Sequence, residues 1–164
     1  MTDNFIEQLV KRRATLGTSI KKAGLIFLTL FVIVLVLRLL PSALLLAVAL
    51  TVGLDVFLFG RMNIEYEYVY YEGDLDIDRI VNKSRRKKMF SVSVKDMDVI
   101  APTNAQELLG YQHLKVVDYS TGEAGNKTYE LVTKKGSDKI RVRFEPNEKM
   151  LEAMKNIAPR KVII

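Results

Sequence analysis

The sequence predicts a membrane-anchored, mainly β protein: a transmembrane α-helical hairpin, then a seven-stranded open barrel or bent sandwich capped by a C-terminal helix. Three observations carry this expectation. Two long apolar runs stand on either side of a proline, the hydrophobic pattern changes to period two from Asn63 onward, and one amphipathic helical stripe stands near the C-terminus. The boundaries that follow are a basic amphipathic segment at 1–22, the hairpin at 23–60, the β domain at 63–158 and a tail at 159–164.

The hairpin is the clearest element. Ala23 to Leu37 carries no charge, and the run continues through Arg38-Leu39-Leu40 to Pro41. Ser42 to Phe59 carries only Asp55. Each run approaches the roughly 20 residues needed to cross about 30 Å of hydrocarbon. Pro41 lacks an N–H and clashes one turn back, so it ends the first helix. A cleaved signal peptide is disfavoured by the length of the run and the lack of a small-residue cleavage site. A buried soluble hairpin is disfavoured because both helices are apolar on every side. Lys11, Arg12, Arg13, Lys21 and Lys22 precede the first span and Arg61 follows the second, whereas the turn offers only Arg38. The positive-inside rule then puts both termini in the cytoplasm of a multi-pass plasma-membrane protein. Arg38 and Asp55 should differ in depth by roughly 15 Å at about 1.5 Å per residue. Arg38 is expected to snorkel outward, and Asp55 to reach the inner headgroups, Lys22 or Arg61.

Ahead of the spans, Asn4 and Glu7 have capping-box spacing, and Phe5, Ile6, Leu9, Val10, Leu16 and Ile20 recur at helical spacing. This predicts a short basic amphipathic helix on the inner leaflet. The alternative is a frayed tail whose charges only set topology.

The β domain opens with Ile64, Tyr66, Tyr68 and Tyr70 alternating with Glu65, Glu67, Val69 and Tyr71. Glu72-Gly73-Asp74 is a tight turn. Leu75, Ile77 and Val81 mark a second strand, and Asn82 to Lys88 is expected at a hairpin connection. Phe90, Val92 and Val94 mark a third strand, and Met97, Val99 and Ala101 a short fourth ending at Pro102. Thr103 or Asn104 should cap a helical turn closed by Gly110, and Leu114 to Tyr119 reads as a fifth strand. After a polar, flexible loop at 120–126, Tyr129, Leu131 and Thr133 form a sixth strand. A Gly136-Ser137 turn leads to a seventh through Ile140, Val142 and Phe144. All seven strands are expected to be antiparallel. Asn147 should cap a final helix with Met150, Leu151, Met154 and Ile157 as its apolar stripe, ended by Pro159.

From Asn63 to Ala158 the chain resembles the bacterial pleckstrin-homology-like domains of small membrane proteins. The resemblance rests on Ile77-Asp78-Arg79-Ile80-Val81, the basic Arg85-Arg86-Lys87-Lys88 and the following Phe90 to Ile100. It implies architecture rather than activity. Eukaryotic relatives of the fold often bind phosphoinositides through a basic first hairpin. Here that hairpin carries Glu72 and Asp74, followed by Asp76 and Asp78, which argues against that site.

Arg85, Arg86, Lys87 and Lys88 are the strongest candidate site, with Lys11, Arg12 and Arg13 beside the first span. All seven are expected to contact anionic lipid headgroups or a protein partner. The bland alternative for the 85–88 tract is a solvated hairpin tip. Asp74, Asp76 and Asp78 share one strand face but lack the glycine and distal glutamate of a calcium loop, so a wet sheet face is the reading. Tyr66, Tyr68 and Tyr70 read as core near the interface. His113 is the only histidine and has no triad partner in view. With no cysteine, no phosphate loop and no nucleophile elbow, the sequence gives no support for an enzyme, a cofactor, a metal or a small-molecule substrate. The net charge of +6 is explained by the membrane flanks rather than by nucleic acid. The expected function is a non-enzymatic membrane-anchored interaction or scaffold module binding a protein partner or a second copy of itself; the alternative is an anionic-lipid sensor.

Overall fold

A computed structural model describes residues 5–164 of the chain. The cap expected at Asn4 lies outside the described residues. The chain divides into two compact units, one helical and one mainly β.

The helical unit contains α1 (Leu16–Leu39) and α2 (Leu44–Met62), joined by a single 3-10 turn over Pro41–Ala43. Both helices are long and apolar enough to cross a membrane, and neither buries a residue within the unit. Thr15 caps α1, its hydroxyl accepting from the Thr18 amide at 3.3 Å. Of the partners expected for Asp55, the inner headgroups, Lys22 or Arg61, neither cation pairs with it among the described residues. Its Oδ2 accepts a hydrogen bond from Thr29 Oγ1 at 2.7 Å, across the two helices. A carboxylate on an apolar helix takes the nearest hydroxyl because a partner within reach costs less ordering than a snorkel to the helix end. Lys22 and Arg61 instead lie over the rings of Phe59 and Phe57.

Among the described residues the β unit has eight strands, not seven, because the segment before the helices supplies one. They are β1 (Ile6–Lys11), β2 (Ile64–Tyr71), β3 (Asp74–Val81), β4 (Arg85–Ser93), β5 (Val99–Pro102), β6 (Val116–Asp118), β7 (Tyr129–Lys135) and β8 (Asp138–Phe144). The helix expected over the N-terminal segment is therefore corrected to a strand. Ile6, Gln8 and Val10 also fit period two, and β1 buries Ile6 and Val10 where it lies antiparallel to β2, with Ile6 opposite Tyr70 and Val10 opposite Tyr66. Tertiary burial overrides a weak helical periodicity that Gly17 already interrupts.

The strands form two four-stranded sheets, ordered β1-β2-β3-β4 and β5-β7-β8-β6, which do not close into a barrel. β2 and β3 are joined by a two-residue turn with positive φ at both Glu72 and Gly73, the geometry that matches strand twist. The turn before β4 is confined to Asn82–Ser84, with positive φ at Asn82 and Lys83. Arg85–Lys88 thus belong to β4 itself and not to the hairpin connection. β6 runs parallel to β8, contrary to the all-antiparallel expectation, with Val117 opposite Val142. Its chain arrives by a long connection through a 3-10 turn (Gln106–Tyr111), which frees it from hairpin geometry. That turn starts after Ala105 without a side-chain cap, so neither Thr103 nor Asn104 caps it.

Tyr68, Tyr70, Leu75, Ile77, Ile100, Leu131, Val142 and Phe144 form the centre of the core, all fully buried. A second small cluster of Val99, Ala101, Leu108 and Val132 lies where the 3-10 turn covers the other face of the second sheet. On that face Glu130 is fully buried and held by Arg143 at 2.8 Å and Arg141 at 3.0 Å. Helix α3 (Glu148–Ile157) buries Met150, Leu151 and Met154, and Asn147 caps it by accepting from the Met150 amide at 2.8 Å. The loop after β6 is held down rather than loose. Glu145 Oε1 accepts from the Thr121 amide and hydroxyl, and Glu145 Oε2 accepts from Asn126. The C-terminal tail, without an expectation of its own, lies along β5: Ile100 donates to Lys161 O at 2.7 Å and Ile163 to Ile100 O at 2.9 Å.

Candidate functional site

The basic tract sits on β4, the outermost strand of the first sheet. Its four side chains are all exposed, but two carry neighbours. Arg86 donates to Glu67 Oε1 at 2.7 Å and approaches Asp78 Oδ2 at 4.0 Å; Lys88 meets Asp76 Oδ2 at 2.7 Å. Ser91 adds a hydroxyl donor to Asp76. These contacts form a ladder across β2, β3 and β4, in which Asp76 and Asp78, two of the three carboxylates expected on one strand face, meet two of the four cations. Lys88 is pushed above its ordinary pKa by the hydrogen bond to Asp76. Phe90 is buried although it has the parity of the outward Arg86 and Lys88, so the alternation of β4 shifts by one residue between Lys88 and Phe90.

Glu67 is the buried end of this ladder, its side chain 4% exposed. Its Oε2 has no hydrogen-bond partner among the described residues. Burial raises its pKa above the ordinary carboxyl value, opposed by the Arg86 charge and reinforced by Glu7. Arg85 and Lys87 make no ion pair among the described residues. They are the cations that the tract leaves uncommitted.

The three basic residues before the helices are built into the β unit. Arg12 donates to the Tyr66 hydroxyl at 2.8 Å and to Asp118 O at 3.1 Å. The Arg13 amide donates to Thr121 O at 2.7 Å, and its guanidinium meets Glu123 at 3.3 Å. Lys11 lies opposite Glu65 in the β1–β2 register and is exposed. The sequence offered these residues as headgroup contacts. Their geometry gives Arg12 and Arg13 a second task, fastening β1 to the loop after β6.

Gln8 completes that fastening, and no sequence signal marked it. Its side-chain amide donates to Glu145 O at 2.8 Å and accepts from the Asn147 amide at 2.7 Å. A polar residue at an inward position between two buried aliphatics was the available clue. Tyr66, Tyr68 and Tyr70 are buried on one face, as expected. Tyr68 donates to Tyr119 O at 2.6 Å and accepts from the Glu145 amide at 3.3 Å. No cluster of His, Asp and Glu able to hold a metal ion occurs among the described residues.

In chain order, two helices long and apolar enough to cross a membrane interrupt a two-sheet β domain that ends in a helix. The chain belongs to the family described as Bacterial PH-like domain (DUF6106), whose model matches residues 2–164. That match takes in the helices as well as both sheets, so the interrupted layout is covered by the family model. Neither the search of curated proteins nor the search of solved structures gave a match.

Proposed function

We propose that the chain is a non-enzymatic interaction module of the plasma membrane, anchored by α1 and α2, with its β domain and both termini in the cytoplasm. The observation that carries this reading is the pairing of β1 with β2 across the helices. Lys11 and Glu65 are register partners, so the chain leaves and re-enters the β domain at one place. Two helices between those points must cross a bilayer out and back. The exposed apolar surface of both helices needs a solvent other than water. The basic residues flanking them favour the cytoplasmic side. Membership of a PH-like family supports a binding role over a catalytic one.

Anionic-lipid sensing is the second reading, and Arg85 and Lys87 favour it because no carboxylate engages them. The commitment of Arg86 and Lys88 to Glu67, Asp78 and Asp76 weighs against it, since each paired cation offers less charge to a headgroup.

The test uses the full chain reconstituted in nanodiscs of neutral or of anionic lipid, alongside photo-crosslinking in cells from several β-domain positions. Protein adducts in cells, with the same β-domain surface accessibility on both lipids, support the interaction module. A β domain whose basic tract becomes protected only on anionic discs, in a salt-sensitive way, favours the sensor. A chain released from membranes by carbonate overturns both readings.

A further inference from the structure

A sheet edge is a row of backbone donors and acceptors that either finds a partner or stays open to one. Two of the four edges in the described β unit, those of β5 and β6, have backbone groups taken up. β1 is held by a side chain and not through its own backbone edge: Gln8 bonds to Glu145 O and the Asn147 amide, and the Arg13 amide, past the end of the strand, donates to Thr121 O. β5 carries the C-terminal tail through Ile100, Lys161 and Ile163. On β6, Asp118 O accepts from Arg12, and the next carbonyl, Tyr119 O, accepts from Tyr68. The outer edges of β1 and β4 have no such backbone partner among the described residues, and of the two it is β4 that carries Arg85 and Lys87, which no carboxylate engages.

The surroundings of that edge suit an extended chain. Beyond the β5 pairing, which ends at Val99 opposite Val132, Thr133 and Lys134 of β7 run on without a neighbour on that side. A cleft of about 470 Å³ lies between them and Ser91, Val92 and Ser93 of β4. The Val94 amide donates to Gly73 O at 2.8 Å, so strand alternation turns the Ser91 and Ser93 amides away from β3. Arg85 and Lys87 stand uncommitted at the start of the same strand, whereas Asp74 and Asp96 line the cleft at its far end.

We propose that the β4 edge is a docking edge for an extended segment of a protein partner, added antiparallel, with acidic residues in its C-terminal half. The proposal rests on the interaction-module reading and gives that module its partner chemistry. Antiparallel addition sets the C-terminal half of the segment opposite Arg85 and Lys87, where carboxylates gain the two free cations. Its N-terminal half lies beside Asp74 and Asp96, which repel a phosphate and so disfavour a lipid headgroup in the cleft. A second copy of the chain brings its own Arg85–Lys88 to the edge and supplies no acidic strand, because Asp74, Asp76 and Asp78 lie on β3 inside the sheet.

The test measures binding of short synthetic strand peptides to the full-length protein in neutral-lipid nanodiscs. One peptide alternates valine and threonine and carries alternating glutamates in its C-terminal half; its control carries lysines there. Binding of the glutamate peptide should exceed that of the control by about tenfold, the scale of two exposed pairs gained against two repelled. It should slow hydrogen exchange at Ser91 and Ser93. The double variant R85E/K87E, whose changes lie on exposed side chains, should reverse the preference. Equal binding of the two peptides, or tighter binding of the lysine control, overturns the proposal. If photo-crosslinkers at Leu109 or Ile164 capture protein in cells while one at Val92 does not, the edge assignment falls and the module stands. If no β-domain position captures protein, the module reading falls with it.

Discussion

Tyr68 shows how one side chain can tie two sheets together. Its ring packs edge-on against Phe144 at 5.8 Å, and its hydroxyl serves both Tyr119 O and the Glu145 amide. Burial pushes its pKa well above that of a free tyrosine, so the hydroxyl keeps its proton across the working pH range. Tyr68→Phe keeps the ring but strands two buried backbone groups, and should cost about 1–3 kcal/mol, read as a fall in the thermal midpoint. Glu67 gives a pH dependence with a definite sign. Its native pKa lies above 4.5, so the folded state holds the proton more tightly than the unfolded chain does. Its contribution to stability is full below that ordinary value and is lost as pH rises through the raised native pKa. Glu67→Gln removes this titration. Urea midpoints of the two proteins should therefore diverge in favour of the glutamine variant as pH rises above the ordinary carboxyl range, and parallel curves would contradict the assignment.

Elements differ in how openly the sequence announced them. The two apolar helices, the β2–β3 and β7–β8 hairpins and α3 were legible because each needs a fixed local signal: apolar length, a glycine at positive φ, an asparagine cap. β1 was not legible, since Ile6, Leu9 and Val10 fit a helix as well as Ile6 and Val10 fit a strand, and its partner lies beyond both helices. The parallel placement of β6 was hidden for the same reason: three residues carry no direction of their own. Of the candidate site, the exposure of Arg85–Lys88 could be read, but their pairing with Glu67, Asp76 and Asp78 could not, because register decides it. Two element-level outcomes follow. Gly73→Ala forces a Cβ to within 3.1 Å of Ile157 Cδ1 at a φ of +98°, and should lower stability by about 1–2 kcal/mol in a chemical melt. Thr29→Val removes the hydroxyl that Asp55 accepts from. It should loosen α1 against α2 by about 0.6–1.7 kcal/mol, measured by steric trapping or detergent-induced unfolding, whereas Thr29→Ser should restore the contact.

At the scale of the whole molecule, the proposed topology makes a labelling prediction that the composition permits, because the chain has no cysteine. Single cysteines at Ser42, in the turn between helices, and at Ser137, between β7 and β8, should react oppositely with an impermeant maleimide on intact cells. Ser42→Cys should be labelled and Ser137→Cys protected until the membrane is opened. Labelling of both on intact cells would remove the cytoplasmic assignment.

The interruption of the first sheet also sets an order on biogenesis. β1 is synthesised before α1 and α2, yet its neighbour β2 leaves the ribosome only after both. The sheet must wait for the hairpin, and until β2 has been made β1 has no strand to pair with. Closure of this sheet thereby comes only after both helices have been made, an order that a domain placed wholly downstream of its helices would not impose.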